Sequence, residues 1–373
     1  VVGATFHADT VSRTLGEALD PESVEKLCDR LVSRGEILGY HEEGAYRFRH
    51  ALYEQALYGR IPARRRRPLH ERVAAALEGI APPAELVRHY ARAGDPARAV
   101  LASFDAVHAA KARYADREVA SLCTTALDLI TALPESGERD QRELALQLEL
   151  GAAMLSRGYS APHQERIFGR VCELAARLDR PVVQFLGMGG LFFHRLTSSE
   201  VAAARAQAEA MLAFSERLPE EFRVASHTAL GVALFNEGEF VAAADRLERR
   251  SDRDEILVPY SQIDLGVFRL GALSKTHAQL GRLEDAVRTA HETVACAGRS
   301  GRHYDLCNGH RMAAELHAIL GGVEAVRAHA EQTIALADEH GFPQLLAIGQ
   351  VFAGWALAQT RDAAEGLRAI GDA

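Results

Sequence analysis

The chain has 373 residues, a formal net charge of −8, 48% hydrophobic and 25% charged residues. That is ordinary globular composition, and the acidic balance gives no global case for binding nucleic acid or an anionic membrane. The length sets a prior of two or more domains, and no apolar run reaches the ~18 residues a membrane helix needs.

Five dispersed cysteines fit reduced thiols in a cytoplasmic protein better than a disulfide framework. Ala, Leu, Arg and Glu dominate, which favours helix. No signal peptide is expected from these residues. The chain starts at Val1 in what reads as the end of a helix and stops at Ala373 without an obvious cap, so it reads as a segment of a longer protein.

Residues 1–80 read as the first domain. Val1 to Phe6 is expected to close an earlier helix. Val11, Leu15 and Leu19 have helical spacing. Asp20-Pro21-Glu22 is a helix start, with Asp as N-cap and Pro at the first helical position. The helix that follows is expected to bury Val24, Leu27, Cys28, Leu31 and Val32 and to stop near Gly35. Ile37–His41 and Ala45–Phe48 flank the turn Glu42-Glu43-Gly44 and read as a hairpin. A helix from His50 through Tyr58 is predicted to end at Pro62, and Pro68 to open another that buries Leu69, Val73, Ala76 and Leu77. Helix, helix, hairpin, helix is a winged-helix arrangement. Ala81-Pro82-Pro83 is the linker.

From residue 84 to 373 a short signature recurs: glycine between helices, then an acidic or apolar residue, then a small one. It occurs at Ala93–Ala99, Glu237–Ala243, Leu280–Ala286 and Leu320–Ala325. Gly238, Gly281 and Gly321 lie 43 and 40 residues apart. A weaker copy at Thr360–Ala364 has Arg361 in the glycine's place. The pattern predicts stacked helical pairs, each burying the face its neighbour exposes. Repeat boundaries are unclear between residues 134 and 225. Pro134–Glu138 and Ser251–Glu255 read as polar loops. The fold class expected is all-α: a winged-helix domain with one small β-hairpin, then a tetratricopeptide-like α-solenoid coiled as a right-handed superhelix.

Gly35, Tyr46-Arg47-Phe48, His50, Glu54, Tyr58, Arg67, Leu69-His70 and Leu77-Glu78 carry a resemblance. They match a pattern that follows the nucleotide-binding module of STAND-class signal-transduction ATPases. These include bacterial regulators of the LuxR/MalT-like type and multidomain proteins with an adenylate-cyclase domain. The resemblance implies a P-loop ATPase domain in cis before Val1 and a sensor array after residue 80, with ATP or ADP bound by the parent protein. It implies that His50 touches the phosphates of ADP, and it makes Arg67 and His70 interdomain positions. The chain itself has no Gly-x-x-x-x-Gly-Lys-Ser/Thr sequence and so no phosphate cradle. No cofactor is expected in this segment, and no catalytic constellation is tied together by local sequence.

Each candidate has a plainer reading beside it. His50 either donates to a phosphate or caps the helix after the hairpin. Arg64–Arg67 invites a nucleic-acid reading, yet lies between Pro62 and Pro68 on an expected connection, with an acidic wing tip. Direct nucleic-acid binding is therefore not expected. His303, Cys307, His310 and His317 share helical spacing that suits zinc, but Arg302 and Arg311 oppose a cation, so no metal is assigned. Gly187–Gly190 reads as close helix packing. Phe192, Phe193, Phe235 and Trp355 are either core or inner-surface residues. The function expected is regulatory: the array binds a protein or small inducer and relays it to the nucleotide module. The alternatives are a scaffold without nucleotide coupling and a DNA-binding winged helix with a dimerising array.

Overall fold

The computed structural model describes residues 1–16, 19–35, 37–113, 115–155, 162–249, 264–360 and 363–373. Its two compact units are Val1–Leu146 and Gln147–Ala373. The expected loop at Ser251–Glu255 and residues 361–362 of the weak repeat copy lie outside the described residues.

The first unit begins with a strand, β1 (Thr5–Phe6), then α1 (Ala8–Leu15) and α2 (Pro21–Ser33). Asp20 caps α2 by accepting from the Ser23 N–H at 2.8 Å. β2 (Leu38–Tyr40) and β3 (Tyr46–Phe48) form the hairpin around a 3₁₀ turn, with Leu38 opposite Phe48 and Tyr40 opposite Tyr46. β1 pairs with the other edge of β3, so the antiparallel order is β1-β3-β2. The segment before α1 is thus a strand, not the end of a helix. Phe6 packs on Tyr46 and Phe48, with ring centroids 6.0 and 5.9 Å away, and β1 satisfies the open edge of β3. α2 buries Val24 and Cys28 against this sheet, while Leu27 and Leu31 are exposed on its other face.

α3 (Ala51–Arg60), α4 (Ala63–Leu77), α5 (Pro83–Ala93), α6 (Pro96–Lys111), α7 (Asp116–Ile130) and α8 (Gly137–Leu155) follow. Pro68 does not open α4; it lies inside it. Its missing N–H removes one hydrogen bond, to the Arg64 carbonyl, from a helix of 15 residues. Arg64–Arg67 are therefore helical. α4 packs on α1 and α5, α5 on α6, and α6 on α7. Ala74, Val87, Tyr90, Ala99, Ala102 and Ala106 form the core between them.

The second unit contains α9 (Pro162–Arg177), α10 (Pro181–Thr197), α11 (Val201–Ser215), α12 (Glu220–Asn236), α13 (Phe240–Leu247), α14 (Leu265–Gln279), α15 (Leu283–Arg299), α16 (His303–Ile319), α17 (Val323–His340), α18 (Pro343–Thr360) and α19 (Ala363–Asp372). From α9 onward each helix packs on the next. Each even-numbered helix from α10 to α16 also touches the next even-numbered one, so α10, α12, α14, α16 and α18 form an inner layer. This is a tetratricopeptide-like α-solenoid, the class the repeats predict. α12 lies deepest: every residue from Val224 to Leu234 is buried.

One turn recurs within the pairs. Glu239, Arg282 and Gly322 each donate to the carbonyl five residues back, at 2.9, 2.9 and 2.8 Å. Gly238, Gly281 and Gly321 supply the left-handed residue, with φ of +84°, +75° and +73°. The turn between α10 and α11 is the same: Glu200 donates to Arg195 at 2.9 Å, and Ser199 takes φ of +62°. This is the repeat copy that residues 134–225 concealed. Close helix contact also follows the small residues. A Cβ on Gly231 would come within 2.7 Å of Leu247, one on Gly187 within 2.8 Å of Cys172, and one on Gly190 would strike the Phe168 ring. Phe192 is core, and Phe193 meets Phe268 with ring centroids 5.0 Å apart.

Candidate functional site

His50 is the N-cap of α3. Its Nδ1 accepts from the Leu52 N–H at 3.2 Å, and the side chain is exposed. A neutral imidazole that accepts at Nδ1 carries its proton on Nε2. His50 therefore presents a donor at a helix N-terminus, where the peptide dipoles favour an anion.

α3 itself is unusual. None of its residues is buried, yet it carries Leu52, Tyr53 and Leu57, which are 63%, 42% and 41% exposed. Tyr58 ties it inward. The Tyr58 hydroxyl lies 2.9 Å from His70 Nε2, and the Arg66 guanidinium lies 4.7 Å from its ring centroid.

His70 is fully buried. Its Nδ1 lies 3.0 Å from Nδ1 of His89, also fully buried, on α5. His89 Nε2 is 3.3 Å from Arg88 and 3.8 Å from Glu85. Burial, then repulsion from His89, Arg92, the Val1 amine and Arg88, pushes the His70 pKa down to about 4. The nearby His89 imidazole, aided by the Arg88 guanidinium, holds the Glu85 carboxyl below its ordinary range against the pull of burial. A continuous chain Tyr58–His70–His89 thus links α3 through α4 to α5. His89 was missed by sequence reasoning because no local pattern joins it to His70, 19 residues away.

Arg67 is exposed, and its guanidinium lies over Gly94, where an added Cβ would sit 3.6 Å from it. That places a cation at the C-terminal end of α5, where it offsets the helix dipole. Arg66 donates to the Ile61 and Gly59 carbonyls at 2.8 and 3.0 Å. Two of the four consecutive arginines are therefore engaged within the first unit. Glu78, the last residue of the motif, accepts from the Tyr90 hydroxyl.

The histidines of α16 divide between two partners: His303 stacks on His340 with ring centroids 3.9 Å apart, while His310 Nδ1 lies 3.0 Å from His329 Nδ1 and His317 stacks on the same His329 ring at 5.7 Å. The buried Cys307 thiol faces the Thr333 carbonyl at 3.4 Å, and burial pushes its pKa up to about 12. Among the described residues no group of three or more His, Cys, Asp or Glu side chains is arranged to hold a metal ion. None of the described helices is long and apolar enough to cross a membrane. A cavity of about 370 Å³ opens between α13, α14 and α15, with Leu270, Leu273 and His277 in its wall and the Arg282–Glu248 ion pair at 3.3 Å beside them. Its volume is in the range of small-molecule sites.

No family model matches this chain, and no curated protein does. Solved structures similar to it include PH0952 from Pyrococcus horikoshii, a signal transduction ATPase with numerous domains (STAND) protein with a tetratricopeptide repeat sensor. That likeness has 12% identity and a TM-score of 0.40, over 99% of this chain and 60% of the other. This chain thus spans about 60% of the length of that protein. The apo form of RapI is similar at 12% identity and a TM-score of 0.45, over 92% of this chain and 94% of the other.

Proposed function

We propose that this chain is the regulatory and sensor segment of a multidomain signalling ATPase of the STAND class. In this reading residues 1–80 are a winged-helix element docked on a P-loop module in cis. The helical array binds a protein or small inducer, and the relay between them shifts the ADP/ATP balance of that module. The chain supplies no catalysis of its own, and nucleotide is held by the module.

The observation that carries the reading is α3. A helix that buries nothing yet exposes Leu52, Tyr53 and Leu57 leaves apolar surface in water, which marks an interaction face. His50 caps the same helix and offers Nε2–H at its N-terminus, suited to a phosphate oxygen. Tyr58 joins this helix to His70 and His89, so a shift in the array helices has a direct route to it. The ligand must bind one of the two states more tightly for any relay to operate.

The test begins with the reading frame preceding Val1, where a P-loop is expected. In the parent protein, α3 amides should be protected from hydrogen exchange by the module. Leu52→Asp with Leu57→Asp should remove that protection and raise basal ATP turnover. Equal protection of α3 with and without the module would contradict the docking.

A further inference from the structure

The cavity between α13, α14 and α15 is open because it lacks two rings that its counterpart one repeat later possesses. Gly281 and Gly321 set a step of 40 residues between successive helical pairs. By that step Leu270, His277 and Thr289 correspond to His310, His317 and His329. In the later pair imidazoles meet in this niche: His310 Nδ1 lies 3.0 Å from His329 Nδ1, and His317 stacks on His329 at 5.7 Å. Leu270 and Thr289 bring no ring, and about 370 Å³ stays open among the described residues. Leu270, Leu273, Thr289 and His277, all buried, make its floor. Its rim comes from α13 and α15, so the mouth faces away from the inner layer.

The floor holds one unmet polar atom. His277 Nε2 lies 3.4 Å from Glu248 Oε1, so the ring proton belongs on Nε2 and Nδ1 is a bare acceptor. The His277 side chain is only 8% exposed, and its Nδ1 is buried with no hydrogen-bond partner among the described residues. A buried acceptor without a donor is destabilising, and so demands one. Leu270 and Leu273 beside it favour an apolar body and make an ion at this depth costly. The donor that fits is therefore a neutral hydroxyl or N–H.

The rim makes the opposite demand. Glu248 is matched by Arg282 at 3.3 Å. On α15 a single guanidinium, Arg288, stands 2.7 Å from Asp285 and 3.8 Å from Glu292. The residues lining the cavity thus carry one surplus negative charge, placed at the mouth where a cation keeps part of its water.

We propose that this cavity binds a small organic cation with a neutral donor at its far end. The hydroxyl or N–H donates to His277 Nδ1, the apolar body lies on Leu270 and Leu273, and the ammonium stays at the rim beside Asp285 and Glu292. This inference deepens the sensor reading of the array and rests on it. Its test uses the chain alone, so its failure is separate from failure of the coupling to a nucleotide module.

Three probes separate the two demands. Tyramine carries both the hydroxyl and the ammonium, phenethylamine lacks the hydroxyl, and 3-(4-hydroxyphenyl)propionate replaces the cation with an anion. In ligand-observed NMR titrations, tyramine should bind about five-fold tighter than phenethylamine, as one neutral hydrogen bond provides. It should bind more tightly than the propionate too, by a margin that shrinks as salt rises. His277→Phe should make tyramine and phenethylamine equal. Thr289→His copies the ring of the later pair into the niche and should abolish binding of both amines, with circular dichroism confirming that each variant is folded. Glu292→Gln, at the exposed rim, should weaken both amines several-fold and leave their ratio unchanged. Undetectable tyramine binding, or equal binding of tyramine and phenethylamine by the wild-type chain, would overturn the site. Undiminished tyramine binding in a folded Thr289→His variant would do the same, and equal binding of the propionate would overturn the assignment of a cation.

Discussion

At the scale of single residues, three buried or half-buried imidazoles make the most direct claim on solution behaviour. His70, His227 and His329 all have pKa values pushed down to about 4, in each case first by burial. A histidine in the unfolded chain titrates near ~6.5. Unfolding below that pH therefore takes up protons, so stability sits on its plateau above ~6.5 and falls as the pH drops toward about 4. Urea unfolding at a series of pH values from 8 to 5 should show this decline beginning well above the range of the carboxylates. A flat profile down to pH 5 would contradict the neutral state of these three imidazoles. Tyr58→Phe removes one hydrogen bond from the chain that holds α3 and should cost about 1 kcal/mol, with the change in exchange protection confined to residues 51–60. Uniform loss across the first unit would mean that Tyr58 is not a local anchor. His70 was legible as a motif position, but its role was not. The motif says nothing of His89, and only the packing of α4 on α5 brings the two rings together.

At the scale of elements, the turns decide how much of the array can be read. Gly238, Gly281 and Gly321 mark their turns because a left-handed residue without a Cβ is unstrained there. Ser199 adopts the same conformation with a side chain, so the copy at α10 and α11 has no glycine to reveal it. Ser199→Gly should therefore stabilise the chain by roughly 1 kcal/mol; a destabilisation in chemical unfolding would show that the Ser199 side chain serves this turn in another way. Gly231→Ala tests the opposite case. Its new Cβ would meet Leu247 at 2.7 Å and the Ala243 carbonyl at 3.2 Å, so a loss of about 1–3 kcal/mol is expected from overpacking. A neutral result would mean that α12 and α13 move apart freely. The hairpin was legible from its β-prone runs and its turn. β1 was not, because two residues carry too little pattern to mark a strand. Pro68 misled for a related reason: proline usually begins a helix, but one lost hydrogen bond is tolerable inside a long one.

At the scale of the molecule, the solenoid buries its apolar faces in successive pairs, while α3 leaves its own uncovered. The first unit joins α3 to the array's first helices through Tyr58, His70 and His89. In the second unit's inner layer Lys275 of α14 and Arg311 of α16 share the Glu315 carboxylate. The proposed sensor role asks for a surface that recognises a ligand and a surface, here α3, that engages what it controls. The repeat period made the array legible. The exposure of α3 was not legible, because Leu52, Tyr53 and Leu57 read equally well as core until the packing around them is known.

The central claim is that α3 and His50 act on a nucleotide bound by a module in cis, and ADP release from the parent protein tests it most directly. Release of a fluorescent ADP analogue should be slow in the wild-type protein. His50→Ala should speed it about ten-fold or more, as expected for loss of a hydrogen bond to a charged group, with the helical content unchanged. An unaltered release rate in a folded His50→Ala protein would contradict the account and leave His50 as the cap of α3 alone.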